Sequence, residues 1–153
     1  MNSESVVTAR EFILESNRIE GIIREPTTEE VNEWFRFMNL EEITVGELIK
    51  FVQVYEPKAP LRRRRGMDVQ VGNHVPPPGG VEVEVELVKL LQDANHPYGD
   101  PWLVHTRYEA LHPFMDGNGR SGRMLWAWQM GPFKLSLGFL HLFYYQTLGH
   151  QAK

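Results

Sequence analysis

The sequence predicts a mostly helical single domain carrying one β-hairpin, and three observations predict it. Apolar residues recur at three-and-four spacing along most of the chain. Ser, Thr or Asp stands just ahead of several of those runs, and strand-like alternation without a helical continuation occurs only between Leu61 and Pro78. The first helix is expected over Ala9 to Asn17, capped by Thr8, with Phe12, Ile13 and Ile19 as a narrow stripe and Gly21 at its end. Pro26-Thr27-Thr28 ahead of Glu29 and Glu30 starts a second, in which Val31, Trp34, Phe35 and Met38 recur at helical spacing. Thr44, with Glu47 three residues on, marks a third that buries Leu48, Phe51, Val52 and Tyr55, and Pro57 and Pro60 stop it.

Between Leu61 and Pro78 the pattern changes. Val69-Gln70-Val71 alternates, Gly66 and Gly72 punctuate, and Pro76-Pro77-Pro78 forbids helix, so a short hairpin followed by an extended turn is expected. Val81 to Glu86 also alternates, but its continuation places Val85, Val88 and Leu91 on one helical row and Leu87, Leu90, Leu91 and Ala94 on the next, which favours helix. Asp100-Pro101 opens a helix through Leu103, Val104, Tyr108 and Leu111, and another runs from about Gly119 to Met130. Gly131-Pro132 breaks it, and Leu137, Leu140, Leu142, Phe143 and Leu148 suggest a last helix.

Composition narrows the function classes. A chain of 153 residues fits one domain, and 42% hydrophobic with 24% charged residues is the balance of a soluble globular protein. A net charge of -4 argues against general nucleic-acid binding, which needs clustered positive charge. The absence of cysteine removes disulfides, thiol catalysis and thiolate-bound metals. With neither a secretory-type leader nor an apolar run approaching membrane length, a cytoplasmic protein without membrane partners is expected.

His112 to Arg123 reads His-Pro-Phe-Met-Asp-Gly-Asn-Gly-Arg-Ser-Gly-Arg, and each part suits polyphosphate chemistry. Backbone amides at Gly117 and Gly119 can form an anion-binding nest at a helix N-terminus. Arg120 and Arg123, three apart, share a helical face and can clamp successive phosphates. Asp116 is a hard oxygen ligand of the kind magnesium uses beside substrate phosphates. His112 is the side chain here whose ordinary pKa suits proton abstraction near neutrality.

This string resembles the signature of the Fic family, His-Pro-Phe, any residue, Asp or Glu, Gly-Asn-Gly-Arg, two residues, Arg, with every specified position filled. The resemblance implies a Fic-type helical bundle with one β-hairpin flap, spanning 1–153 as a single Fic domain. Within it lie an inhibitory helix at about 8–24, the flap at about 61–78 and the catalytic loop at 112–123. It also implies a protein adenylyltransferase that moves AMP from ATP, with Mg2+, to a Ser, Thr or Tyr hydroxyl of a target protein docked on the flap. In that scheme His112 deprotonates the hydroxyl, Asp116 holds magnesium, and Gly117, Asn118 and Gly119 cradle the α- and β-phosphates. Arg120 stabilises the β-phosphate, Arg123 meets the γ-phosphate and Phe114 anchors the loop.

Ser16-Asn17-Arg18-Ile19-Glu20-Gly21 is similar to the family's inhibitory pattern, Ser or Thr, three residues, Glu, then Gly or Asn. The resemblance implies that Glu20 pairs with Arg123 and denies it to the γ-phosphate. An exposed ion pair gives only about 0–1 kcal/mol, so such a lock requires a shielded, bidentate pair. Arg62 to Arg65 could reach phosphates or an acidic target, or form a solvated hairpin edge. His74, His96, His105, His141 and His150 show no metal spacing, and Trp126 and Trp128 read as core. Transfer of another phosphate-containing group, removal of AMP, and a regulatory module that binds nucleotide without turnover are the rival readings. A homo-oligomer is compatible with the sequence, and nucleic acid is not an expected partner.

Overall fold

The computed structural model describes residues 8–131. They form six helices: α1 (Ala9–Ile19), α2 (Thr28–Met38), α3 (Val45–Tyr55), α4 (Val81–Ala94), α5 (Pro101–Leu111) and α6 (Asn118–Met130). Local sequence sets most of their starts. Thr8 and Thr27 each accept from the third helical amide while Glu11 and Glu30 reach back to the cap backbone, so both make full capping boxes. Thr44 accepts from the Glu47 amide, and Asp100 accepts from the amides of Trp102 and Leu103 with Pro101 in the first turn.

α6 is the centre of the bundle. Residues from Arg120 through Ala127 are buried on every side, the mark of a helix enclosed by others rather than lying on a surface. It packs against α1, α2, α3 and α5, while α4 lies against α3 and α5. Close approach to α5 requires Gly122, where a Cβ would come 2.9 Å from Cδ1 of buried Tyr108. The Tyr108 hydroxyl meets the Ser121 hydroxyl at 2.7 Å, and Ser121 in turn donates to the Gly117 carbonyl at 2.8 Å, tying α5 to the first turn of α6.

Two expectations are corrected here. On α4 the row of Leu87, Leu90, Leu91 and Ala94 is buried together with Val83, whereas Val85 and Val88 are exposed, because α3 and α5 cover only one side of the helix. The hairpin does not form a ladder: among the described residues there are isolated bridges, not strands. Val71 and His74 exchange both backbone bonds at 2.9 Å around a two-residue turn containing Gly72 at φ 58. Leu61 bridges to Phe114 in the motif loop instead of to the return leg, with the Arg62 amide donating to Pro113 at 2.8 Å and the Met115 amide to Pro60 at 3.0 Å. The return leg carries Pro76, Pro77 and Pro78, which have no N–H to donate, so it cannot continue a ladder. The last expected helix, over Leu137 to Leu148, lies outside the described residues.

Candidate active site

The site is built where α5 ends and α6 begins. His112 caps α5 in the left-handed region, at φ 51 and ψ 64, with its amide donating to the Tyr108 carbonyl at 2.9 Å. That backbone conformation is uncommon for a side chain other than glycine, and it turns the chain sharply into the loop. Burial and the neighbouring Arg62 guanidinium push the imidazole down to about 4, against a weaker opposing pull from a bond to the Glu109 backbone. Near neutrality the ring is therefore uncharged and keeps a lone pair for a proton.

The loop holds its own shape. The Asn118 carboxamide closes it, accepting from the Phe114 amide at 2.8 Å and donating to the Phe114 carbonyl at 2.8 Å. This side chain is thus spent on the backbone, and any phosphate contact of Asn118 falls to its main-chain amide. Phe114 is fully buried beneath the loop. Gly117 supplies the N-cap of α6 at φ 77, in the left-handed region that favours glycine. One Asp116 oxygen accepts from the Gly117 amide at 2.7 Å, and the carboxylate is otherwise exposed. Among the described residues no three acidic or imidazole side chains gather into a metal cluster. A single exposed carboxylate at the edge of a cleft fits magnesium that arrives with a polyphosphate.

A cleft of about 380 Å³ lies over this N-terminus, within the size range of small-ligand pockets. Val69, Gln70 and Val71 of the flap region line one side, and His112, Met115 and residues 116–120 line the other. Glu20 also lines it. Its carboxylate stands against the Cα of Gly119, where an added Cβ would collide with Oε2, so Glu20 crowds the first turn of α6.

The two motif arginines are buried and partnered. Arg123 donates to Glu20 Oε2 at 2.6 Å and to both the hydroxyl and the carbonyl of Ser16 at 2.9 Å. The expected geometry needs amendment, since one guanidinium nitrogen reaches the Glu20 carboxylate and the Glu20 side chain is 36% exposed, while Arg123 itself is shielded. Arg120 donates to the Tyr55 carbonyl at 3.0 Å and to Glu56 Oε2 at 2.6 Å, both at the end of α3.

Sequence reasoning missed three supports of the site. Arg62, read as part of a solvated or docking run, is wholly buried. It donates to the carbonyls of Leu111 and Pro77 at 2.8 Å, of His112 at 2.7 Å and of Met67 at 3.0 Å, which joins the end of α5 to both legs of the flap region. Arg63, Arg64 and Arg65 are exposed, as a charged edge would be. Nothing in four consecutive arginines distinguishes the first. His74, unassigned before, meets the Ala110 carbonyl at 2.8 Å and pins the flap turn to α5. Glu56 showed no local pattern. His105 is a packing residue, buried between α5 and α6 with its pKa lowered to about 4 by burial. Trp126 is buried and Trp128 donates to the Leu40 carbonyl at 2.9 Å.

Comparison with known proteins supplies a family. The family model described as Fic/DOC family matches residues 27–130. A protein adenylyltransferase Fic of Nematostella vectensis is 32% identical over 122 residues, 74% of this chain and 28% of the relative. Proteins of the same name from Drosophila willistoni and Drosophila grimshawi are 39% and 37% identical over 67 residues, 40% of this chain and 14% of each relative. The chain thus spans between about one seventh and somewhat over a quarter of the length of these curated relatives. No helix among the described residues is long and apolar enough to cross a membrane. With a family model over two-thirds of its length, and a fully matched loop bent around one cleft at the head of a central helix, this chain belongs to the Fic/DOC family.

Proposed function

We propose that the chain is a protein adenylyltransferase held in check by its own α1. The observation that carries the reading is the single cleft shared by a neutral imidazole, a glycine-bearing helix N-terminus and the flap region, with the Glu20 carboxylate lining it against Gly119. The relatives named above are adenylyltransferases, which supports AMP as the group moved.

In this scheme the free amides at the start of α6 bind the α- and β-phosphates of ATP, and the helix dipole favours their charge. Arg120 faces the β-phosphate, and Arg123, once released by Glu20, takes the γ-phosphate. Asp116 is the residue that would hold magnesium, which when bound would supply positive charge against the departing pyrophosphate. A target hydroxyl aligned along the flap attacks the α-phosphorus. The new bond is O–P to the target, the bond broken is that between the α-phosphorus and the bridging oxygen, and pyrophosphate leaves with that electron pair. His112 accepts the hydroxyl proton. An imidazole at about 4 is a weak base, and the negative charge of bound polyphosphate raises it toward the working pH.

Glu20 competes with the γ-phosphate for Arg123. A hydrogen bond to a charged group contributes about 1.5–3 kcal/mol, and about 2.7 kcal/mol suffices for hundredfold suppression. Partial exposure of Glu20 keeps the latch near that scale, releasable rather than permanent.

The test is incubation with magnesium and ATP labelled at the α- or the γ-phosphate. Glu20→Gly should raise protein labelling from the α-label by about a hundredfold with no γ-label incorporated, and His112→Ala in that background should abolish it while ATP still binds. Incorporation of the γ-label would convert the reading to phosphate transfer. ATP binding without transfer by wild type and Glu20→Gly alike would leave a regulatory binding module.

A further inference from the structure

Both motif arginines end on a carboxylate from outside the motif, but the two carboxylates stand on different sides of the helix. Glu20 is among the described residues that line the cleft, and Glu56 is not. The stem of Glu56 lies instead behind the loop, where a Cβ on Gly117 would sit 3.4 Å from the Cβ of Glu56 and 3.5 Å from Val52. From there its Oε2 accepts from one terminal nitrogen of Arg120 at 2.6 Å, while the other terminal nitrogen donates to the Tyr55 carbonyl at 3.0 Å. The Arg120 Nε is buried with no partner among the described residues, so the guanidinium keeps donor capacity that they do not use.

The anchor is stiff. Tyr55 stacks on Phe51 with ring centroids 4.2 Å apart and donates through its hydroxyl to the Glu30 carbonyl at 2.8 Å. Its own carbonyl is one of those a helix C-terminus leaves unpaired, a place where a cation is favoured. Glu56, the cap residue, completes the fork. A guanidinium gripped at two nitrogens from the end of α3 has lost most of its rotamer freedom before any ligand arrives, so a phosphate binding to it does not have to order it.

We infer that Glu56 is a positioning residue that sets Arg120 for the β-phosphate of a bound nucleotide. The inference rests on the nucleotide-transfer reading above and adds to it a residue outside the motif. Glu20 and Glu56 then act oppositely, one displaced by phosphate and the other supporting its binding from behind.

Nucleotides differing by that phosphate test it, with binding measured by calorimetry in the Glu20→Gly background. Glu56→Ala should weaken ADP by about tenfold or more, the scale of one charge-assisted bond, and change AMP by no more than about twofold. Glu56→Gln, which keeps a neutral acceptor, should fall between because such a bond has about half the strength. Should Glu56→Ala fail to fold, Glu56→Gln decides by the same ratio of ADP to AMP affinity. Equal weakening of both nucleotides would mark a merely structural role, while unchanged or tightened ADP would make Glu56 a bystander or a competitor, and each result overturns the proposal. If Glu20→Gly binds neither nucleotide, the transfer reading itself falls and this inference with it.

Discussion

Arg62 and Arg123 are guanidiniums sunk to 0% and 1% exposure, yet they are held in opposite ways. Arg62 gives its donors to four main-chain carbonyls, and burial lowers its pKa with only a Coulombic pull from Asp68 against it. Every partner belongs to backbone that cannot leave without unfolding the end of α5 or the flap region. Arg123 instead has a serine at its stem and a partly exposed carboxylate at its tip. A buried cation wholly satisfied by backbone is a permanent joint. One whose last partner is a side chain facing a cleft can exchange that partner for a ligand.

The largest expected effect breaks the joint. Arg62→Met strands four carbonyls, that of Leu111 buried and the others partly so, at about 1–3 kcal/mol for a fully buried one before relaxation, so a loss of at least about 3 kcal/mol in urea unfolding is expected. A loss under about 1 kcal/mol would mean that the carbonyls find water and that Arg62 holds nothing.

A smaller effect weakens the latch without removing it. Ser16→Ala deletes the hydroxyl on Arg123 Nε but keeps the Ser16 carbonyl bond. Losing about 1 kcal/mol there should raise basal labelling from ATP by about fivefold, well short of Glu20→Gly. Unchanged labelling would place the whole restraint on Glu20.

Acid probes both regions at once. His105 packs near Arg123, and His112 near Arg62, and in the fold both imidazoles are pushed down to about 4. The unfolded chain binds protons at these residues from about 6.5 downward while the fold does not, so stability present above pH 6.5 is lost as pH falls toward 4. The unfolding free energy from urea titrations should drop between pH 7 and pH 5, by about 1–2 kcal/mol for buried His105 and by less for partly exposed His112. Flat stability over that interval would show the imidazoles to be better solvated than their packing indicates.

How much was legible follows from how local each signal is. Thr8, Thr27, Thr44 and Asp100 announce helix starts because a cap is satisfied within three residues of itself. The loop was legible because its chemistry is dense in sequence, down to Asn118 closing on Phe114 four residues away. The flap region was misread because its pairing partners are distant: Leu61 goes to Phe114, His74 to Ala110, and the return leg is fastened by Arg62 rather than by a ladder. Arg62 and Glu56 left no pattern because their partners are backbone carbonyls or a residue sixty-four positions away. On α4 two helical rows fit the spacing equally well, and only the placement of α3 and α5 decides which is covered.

The Asn118 carboxamide has one more consequence. Because it staples Phe114 at both amide and carbonyl, the turn to which the proposed function assigns phosphate is held in shape by its own bonds. A ligand seated there therefore incurs little ordering entropy in the receptor, and the shape of the turn is written into two residues four positions apart rather than acquired as the ligand enters.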